Sequence, residues 1–379
     1  MTSSIRPLAW RLLALALSGL VVSTAWVVSA AVPSRLTDDQ FWSLSRDSSE
    51  EDGVFRSDNL LSNETTFQWV IPGVVKTASQ GRVYIGVGPE QNFTYMAALK
   101  PTMAFIIDIR HGNLDVHLLY KALFELSKDR ADFVSKLFSR RRPDGLTAQS
   151  SVAEIFTAVE AVDVSEAIYN DNLKAIEEHL LNVHHFPLSS GDRDGITWAL
   201  SNYYRFGPAI SYNSSLSASA PPPIVGAMAI GGRGGNAFTT YESLMLADDG
   251  QGRNRGFLAT EENFAFLKDL ESRNMVVPIV GDFGGPKAIR AVGTYLKRVD
   301  AQVSAFYLSN VEQFLLQGGT WQTFCQSVAT LPLDDTSVFI RSGRGGPYTV
   351  GATGIGVQNS SSARIQPEIA PCMTVRKEQ

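Results

Sequence analysis

The chain has 379 residues, 44% of them hydrophobic and 19% charged, a composition that excludes a disordered, collagenous or polytopic membrane protein. Its 33 Lys and Arg against 38 Asp and Glu leave a net charge of −5, so the basic footprint of a nucleic-acid-binding protein is absent. Two cysteines, Cys325 and Cys372, exclude a disulfide-dense scaffold and a four-cysteine zinc site, and allow one bridge if the protein is exported.

Residues 1–33 read as an export signal. Arg6 and Arg11 precede an uncharged run from Leu12 to Val32, and Val28-Ser29-Ala30 offers small residues for cleavage before Ala31. The run is also long enough to span a bilayer, so an uncleaved anchor is the alternative; both place the main domain outside the cytoplasm, periplasmic or secreted. Residues 34–80 read as a leading segment of short helices with a turn at Pro72-Gly73. Arg82 to Gly88 is a buried strand, Pro89 a helix start, Glu90 to Leu99 a helix stopped by Pro101, and Met103 to Ile109 a second buried strand. Together they form a right-handed βαβ unit. A helical stretch follows over 114–138, broken at Pro143-Asp144-Gly145, with Arg140-Arg141-Arg142 as its solvated end. Residues 151–183 are helical again, and 187–235 a mixed lid or insertion carrying Ser/Ala/Pro-rich and Gly-rich loops. Glu261 to Arg273 is a helix, Met275 to Val280 a strand, Lys287 to Arg298 a helix and Val303 to Leu308 a strand. Short helices over 311–316 and 321–329 then lead to a last strand, Ser337 to Ile340. The order implies an α/β fold, a doubly wound, mostly parallel sheet over 34–342 with a helical insertion at about 111–260, and a loose Gly/Ser/Pro-rich tail over 343–379. Asn63, Asn92, Asn213 and Asn359 head glycosylation sequons.

Open α/β sheets bind ligands at the carboxyl ends of their strands. Those ends carry Gly86, Gly88 and Glu90; Asp108 and Arg110; Asp282; Ser309 and Asn310; and Arg341. The most informative stretch is Gly86-Val-Gly88-Pro-Glu90 with Asp108 downstream. Two glycines let backbone pass close to a ligand, a helix start offers free N–H groups, and an acid at the end of the next strand can accept both hydroxyls of a ribose. The dinucleotide fingerprint needs a third glycine where Gln91 stands, which disfavours NAD and FAD. Other roles stay open. The glycines can serve a tight turn, Asp108 can pair with Arg110 or Lys100, Asp282 can cap the helix near Pro286, and Asn310 can cap the helix after it. The five histidines show no spacing that specifies a metal, and neither a serine-hydrolase elbow nor a P-loop is present.

A two-glycine loop with an acidic ribose anchor resembles the class I S-adenosylmethionine-dependent methyltransferases over roughly 81–110 and 275–342. The stretches YIGVGPEQNFTYMAALKP, IVGDFGGPKAIRAVGTYL, AFYLSNVEQFL and VFIRS also resemble an uncharacterised family of bacterial methyltransferase-like proteins. The resemblance implies a Rossmann-type fold with S-adenosylmethionine as cofactor. Gly86, Gly88, Glu90 and Asp108 would then hold the cofactor, while Asp282 and Arg110 orient or deprotonate an acceptor. The chain departs from that family where Tyr84 and Ile85 replace an acid ahead of the glycines. It departs again where Gly281-Asp282-Phe283-Gly284-Gly285 replaces an Asn/Asp-Pro-Pro-Tyr motif. The expected partner is a small molecule, with no nucleic acid, and a membrane only through an uncleaved N-terminus. The alternatives are a non-catalytic extracytoplasmic ligand-binding or interaction protein and, more weakly, an exported hydrolase using the carboxyl-end acids.

Overall fold

A computed structural model describes residues 31–55, 59–212, 214, 239–343 and 359–374. The cleavage site's Val28 to Ala30, the Gly-rich run at 231–235 and the sequon at Asn213 lie outside them. The leading segment gives helix α1 (Asp38–Ser48), begun by a capping box of Thr37 and Gln40, and α2 (Ile71–Thr77). Pro72 and Gly73 belong to the first turn of α2 and make no chain reversal, because a proline there gives up only an N–H that has no helical partner.

The expected βαβ unit is present as β1 (Val83–Gly86), α3 (Gln91–Leu99) and β2 (Met103–Asp108). Lys100 ends α3 in the left-handed region, at φ 48°, just before Pro101. The long helix expected over 114–138 is two. Helix α4 (His111–Leu126) ends at Ser127, and Asp129 caps α5 (Arg130–Leu137) by accepting the Asp132 amide. Next come α6 (Val152–Glu160) and α7 (Glu166–Glu178), which continues into a π-turn over His179–Val183. Arg140 is no solvated helix end, since its guanidinium donates to the carbonyls of Val159, Glu160 and Val162 and closes the C-terminus of α6.

The region read as a lid over 187–235 holds a 17-residue helix, α8 (Ser190–Phe206), opened by a capping box of Ser189 and Asp192. After α9 (Tyr241–Leu246) and α10 (Glu261–Ser272) come β3 (Val276–Val280), α11 (Ala288–Arg298), β4 (Val303–Ser309), α12 (Val311–Gln317), α13 (Trp321–Val328) and β5 (Val338–Gly343). The tail expected to be loose forms, over its described residues, β6 (Asn359–Arg364) and α14 (Ile365–Thr374). A disulfide joins Cys372 of α14 to Cys325 of α13 across a Cα–Cα distance of 6.2 Å.

The six strands form one sheet in the order β3-β2-β1-β4-β5-β6. The first five are parallel and β6 runs antiparallel to β5. Every residue of β1, β2 and β3 is buried, as continuous apolar runs in a parallel sheet require. Helix α1 covers the β3 edge, where the Ser45 hydroxyl donates to the Pro278 carbonyl and the Val280 amide donates to Ser49 Oγ. An edge strand tolerates Pro278, whose nitrogen has no hydrogen to donate. Strand order reverses between β1 and β4, so the carboxyl ends of these two strands flank a crevice.

Candidate functional site

The crevice holds a pocket of about 380 Å³. Gly88, Asp108, Arg110, Asp282, Ser309 and Asn310 line it, so the carboxyl ends of four strands converge on one cavity. The remaining wall is largely apolar, including Phe55, Phe283 and Phe314. Gly86, Glu90 and Arg341 are not among the lining residues. Arg341 is tied to Glu312 at 2.9 Å and Glu368 at 3.1 Å.

The glycine turn is organised from beneath by Asn92. Its Nδ2 donates to the carbonyls of Val87, Gly88 and Pro89 at 3.0, 3.0 and 2.8 Å, and its Oδ1 accepts from the Tyr84 hydroxyl at 2.9 Å. Fully buried and fully engaged, Asn92 has no room for a glycan. Gly86 serves this bracket, since a Cβ there would stand 1.9 Å from Asn92 Oδ1. Its role is close packing, in place of the expected ligand contact. Gly88 is different: at φ +77° it needs glycine for its backbone, and nothing lies within 4 Å of where a Cβ would be. His117 Nε2 also reaches the Gly88 carbonyl, at 2.9 Å. Burial pushes the His117 imidazole down to about 4, so the ring is neutral and donates this bond.

Glu90 turns inward, away from the pocket. It is 1% exposed, its Oε1 accepts the Ser62 amide at 3.2 Å, and burial raises its carboxyl to about 8. A protonated, inward carboxyl does not meet the expected cofactor role of Glu90. Asp108 does reach the pocket, but both of its oxygens are engaged. Arg110 donates to Oδ1 through its amide and Nε and to Oδ2 through Nη2, each at 3.0 Å. Arg110 Nη1 also donates to the Asn59 carbonyl at 3.3 Å. The pair is buried and bidentate, so Arg110 positions Asp108 and is not placed to deprotonate an acceptor. Asp282 is exposed at the rim. Its Oδ1 accepts the Gly284 amide at 2.8 Å, while Glu50 of the leading segment takes the helix-capping role, accepting the Lys287 and Ala288 amides. Asn310 lines the pocket and makes no side-chain cap to α12.

Two residues had no signal in the sequence. Glu64 lies fully buried among pocket-lining side chains and accepts from Gln91 Nε2 at 2.9 Å, the Tyr307 hydroxyl at 2.8 Å and Ser309 Oγ at 2.5 Å. Burial raises its carboxyl, and the hydrogen bonds oppose the rise. Gln91, in the place of the third glycine, lines the pocket, and its buried Oε1 has no hydrogen-bond partner. Neither role could be read from spacing, because both depend on the leading segment folding over the strand ends.

No helix among the described residues is long and apolar enough to cross a membrane. No curated protein matches the chain. Residues 60–191 and 238–363 match the model of a family described as a domain of unknown function (DUF7790), and they take in the glycine turn, the Asp108–Arg110 pair, strands β1 to β5 and β6 up to its last residue, so the chain belongs to that family.

Proposed function

We infer that the chain is an exported protein that binds an adenosine-containing small molecule of the S-adenosylmethionine class in the pocket between β1 and β4. One observation carries this reading. Gly88, at the end of β1, and Asp108, at the end of β2, open on the same cavity at the point where strand order reverses. That is where a Rossmann-type sheet receives a nucleoside. The partnerless Gln91 Oε1 adds an acceptor that a ligand donor would satisfy. The Cys325–Cys372 disulfide supports export, because such bonds persist in oxidising compartments.

The reaction this reading implies is methyl transfer to an acceptor. S-adenosylmethionine held in this pocket would supply an electrophilic methyl group for an acceptor's lone pair, with the electrons of the broken C–S bond remaining on the thioether product. The pocket's contribution is alignment. Asp282, exposed at the rim, is the carboxylate available to take the acceptor's proton.

A second reading, a ligand-binding protein without catalysis, is favoured by the Asp108–Arg110 pair. An Asp whose two oxygens are already held must exchange partners to grip a ribose. Calorimetric titration with S-adenosylhomocysteine, with NAD as control, tests the shared claim. Micromolar binding that Asp108→Asn weakens at unchanged fold supports the site. A folded wild-type chain that binds neither compound contradicts it. Methylated product with a candidate acceptor separates the two readings.

A further inference from the structure

Two clusters of ligand-capable side chains stand out among the described residues. In the first, Glu125 Oε2 lies 2.5 Å from His179 Nε2 and 2.6 Å from His184 Nε2. His184 Nδ1 lies 2.7 Å from Asp38 Oδ1, and Lys121 Nζ lies 2.7 Å from Glu125 Oε1. Two carboxylates there meet a lysine and a histidine placed to donate from both ring nitrogens. Protons alone balance those charges, and the lysine would repel a metal cation.

The second cluster is built differently. His111 opens α4, Asp115 lies one turn on, and Asp192 stands in the first turn of α8. His111 Nε2 is 2.6 Å from Asp192 Oδ1 and 3.7 Å from Asp115 Oδ1. A third carboxylate, Asp52, accepts the His111 amide at 2.7 Å. Asp115 and Asp192 both make their ion pair with the same imidazole. Two carboxylates thus converge on one ring nitrogen. Asp115 is 3% exposed and its Oδ1 has no hydrogen-bond partner. Gly195 lets α8 close down on this carboxyl, for a Cβ there would stand 2.1 Å from Asp115 Oδ2. A buried carboxyl oxygen without a donor is costly, and a cation supplies what it lacks.

We propose that His111, Asp115 and Asp192 form a binding site for one divalent first-row transition cation. The two distances from His111 Nε2 bracket the roughly 3.3 Å that separates neighbouring ligand atoms around a tetrahedral ion bound at about 2.0–2.1 Å. The His111 side chain is 42% exposed, and a shift of its ring away from Asp192 and towards Asp115 would bring both distances to that value. One imidazole with two carboxylates suits zinc or manganese better than magnesium, which prefers an all-oxygen shell. Three protein ligands leave a position open for water or for an anionic group. Arg110, which immediately precedes His111, lines the pocket, so the metal site adjoins it. The proposal does not depend on what the pocket itself binds.

The test is calorimetry and thermal melting of the chelator-stripped chain with Zn²⁺, Mn²⁺ and Mg²⁺. The expected result is one equivalent of Zn²⁺ or Mn²⁺ bound with a rise in Tm, and weaker binding of Mg²⁺. His111→Gln and Asp115→Asn should each weaken binding by at least about tenfold, as loss of a ligand does, while His179→Gln leaves it unchanged. Asp115 is buried and its variant can disturb folding, so the decisive variant is His111→Gln, on a half-exposed side chain. A folded wild-type chain that binds no Zn²⁺ or Mn²⁺ overturns the proposal. So does binding that survives His111→Gln, or binding that only His179→Gln removes.

Discussion

Asn92 holds three carbonyls of the glycine turn and a tyrosine hydroxyl with one side chain. Asn92→Ala would leave those buried groups without partners. The expected loss is about 2–4 kcal/mol, measured by denaturant unfolding, together with weaker ligand binding as the turn relaxes. Glu90 yields a pH test. Its folded-state carboxyl sits near 8 against an ordinary value of 4.5, so the native state holds a proton that the unfolded state releases. The stability linked to that proton is complete below about pH 4.5 and is lost as pH rises through about 8, at up to about 1.4 kcal/mol per unit. Glu90→Gln removes the titration. Its stability relative to wild type should therefore climb between pH 5 and 8 and level off above, as followed by melts across that range. A flat difference would mean that Glu90 is ionised in the fold. At this scale the residue types at strand ends were legible: Gly88, Asp108, Arg110 and Asp282 do meet in one pocket. What each one does there was not legible. Gly86 and Glu90 lie four positions apart, and both serve the interior because Asn92 and Ser62 happen to pack against them.

Elements carrying their own periodicity or caps could be read locally. The strands over 83–86, 103–108, 276–280 and 303–309 are apolar runs that leave little other choice. The helix at Ser190–Phe206 was missed because Gly191 and Gly195 weaken its propensity, and Gly195 is there to admit Asp115. The β6 strand, NSSSAR, has no apolar alternation at all, and pairing with β5 alone makes it a strand. Helix α14 depends on the disulfide to α13 as well as on packing by Ile365 and Ile369. The bridge closes a separation of 47 residues, for which chain entropy gives about 3–4 kcal/mol. Cys325→Ala with Cys372→Ala, or reduction, should lower Tm by several degrees. Protease digestion should then cut first within the C-terminal region. An unchanged melt would show that α14 is held by its apolar contacts alone.

The described residues form a parallel sheet with one antiparallel edge strand and a long, mainly helical excursion between β2 and β3. Contacts that no local pattern announces decide the function-bearing features. The leading segment supplies Glu64 beneath the pocket, Glu50 at the start of α11 and Asp52 beside His111. This arrangement converts strand ends into a walled cavity and couples the first part of the chain to the site. The proposed occupant of this cavity is a nucleoside-type ligand of the S-adenosylmethionine class. Calorimetric titration of the purified chain with S-adenosylhomocysteine, alongside NAD, tests it most directly. The expected result is saturable micromolar binding of S-adenosylhomocysteine, diminished in Asp108→Asn, with none of NAD. A folded chain that gives no heat with S-adenosylhomocysteine, or an Asp108→Asn chain that binds it as well as wild type, would contradict this assignment of the cavity.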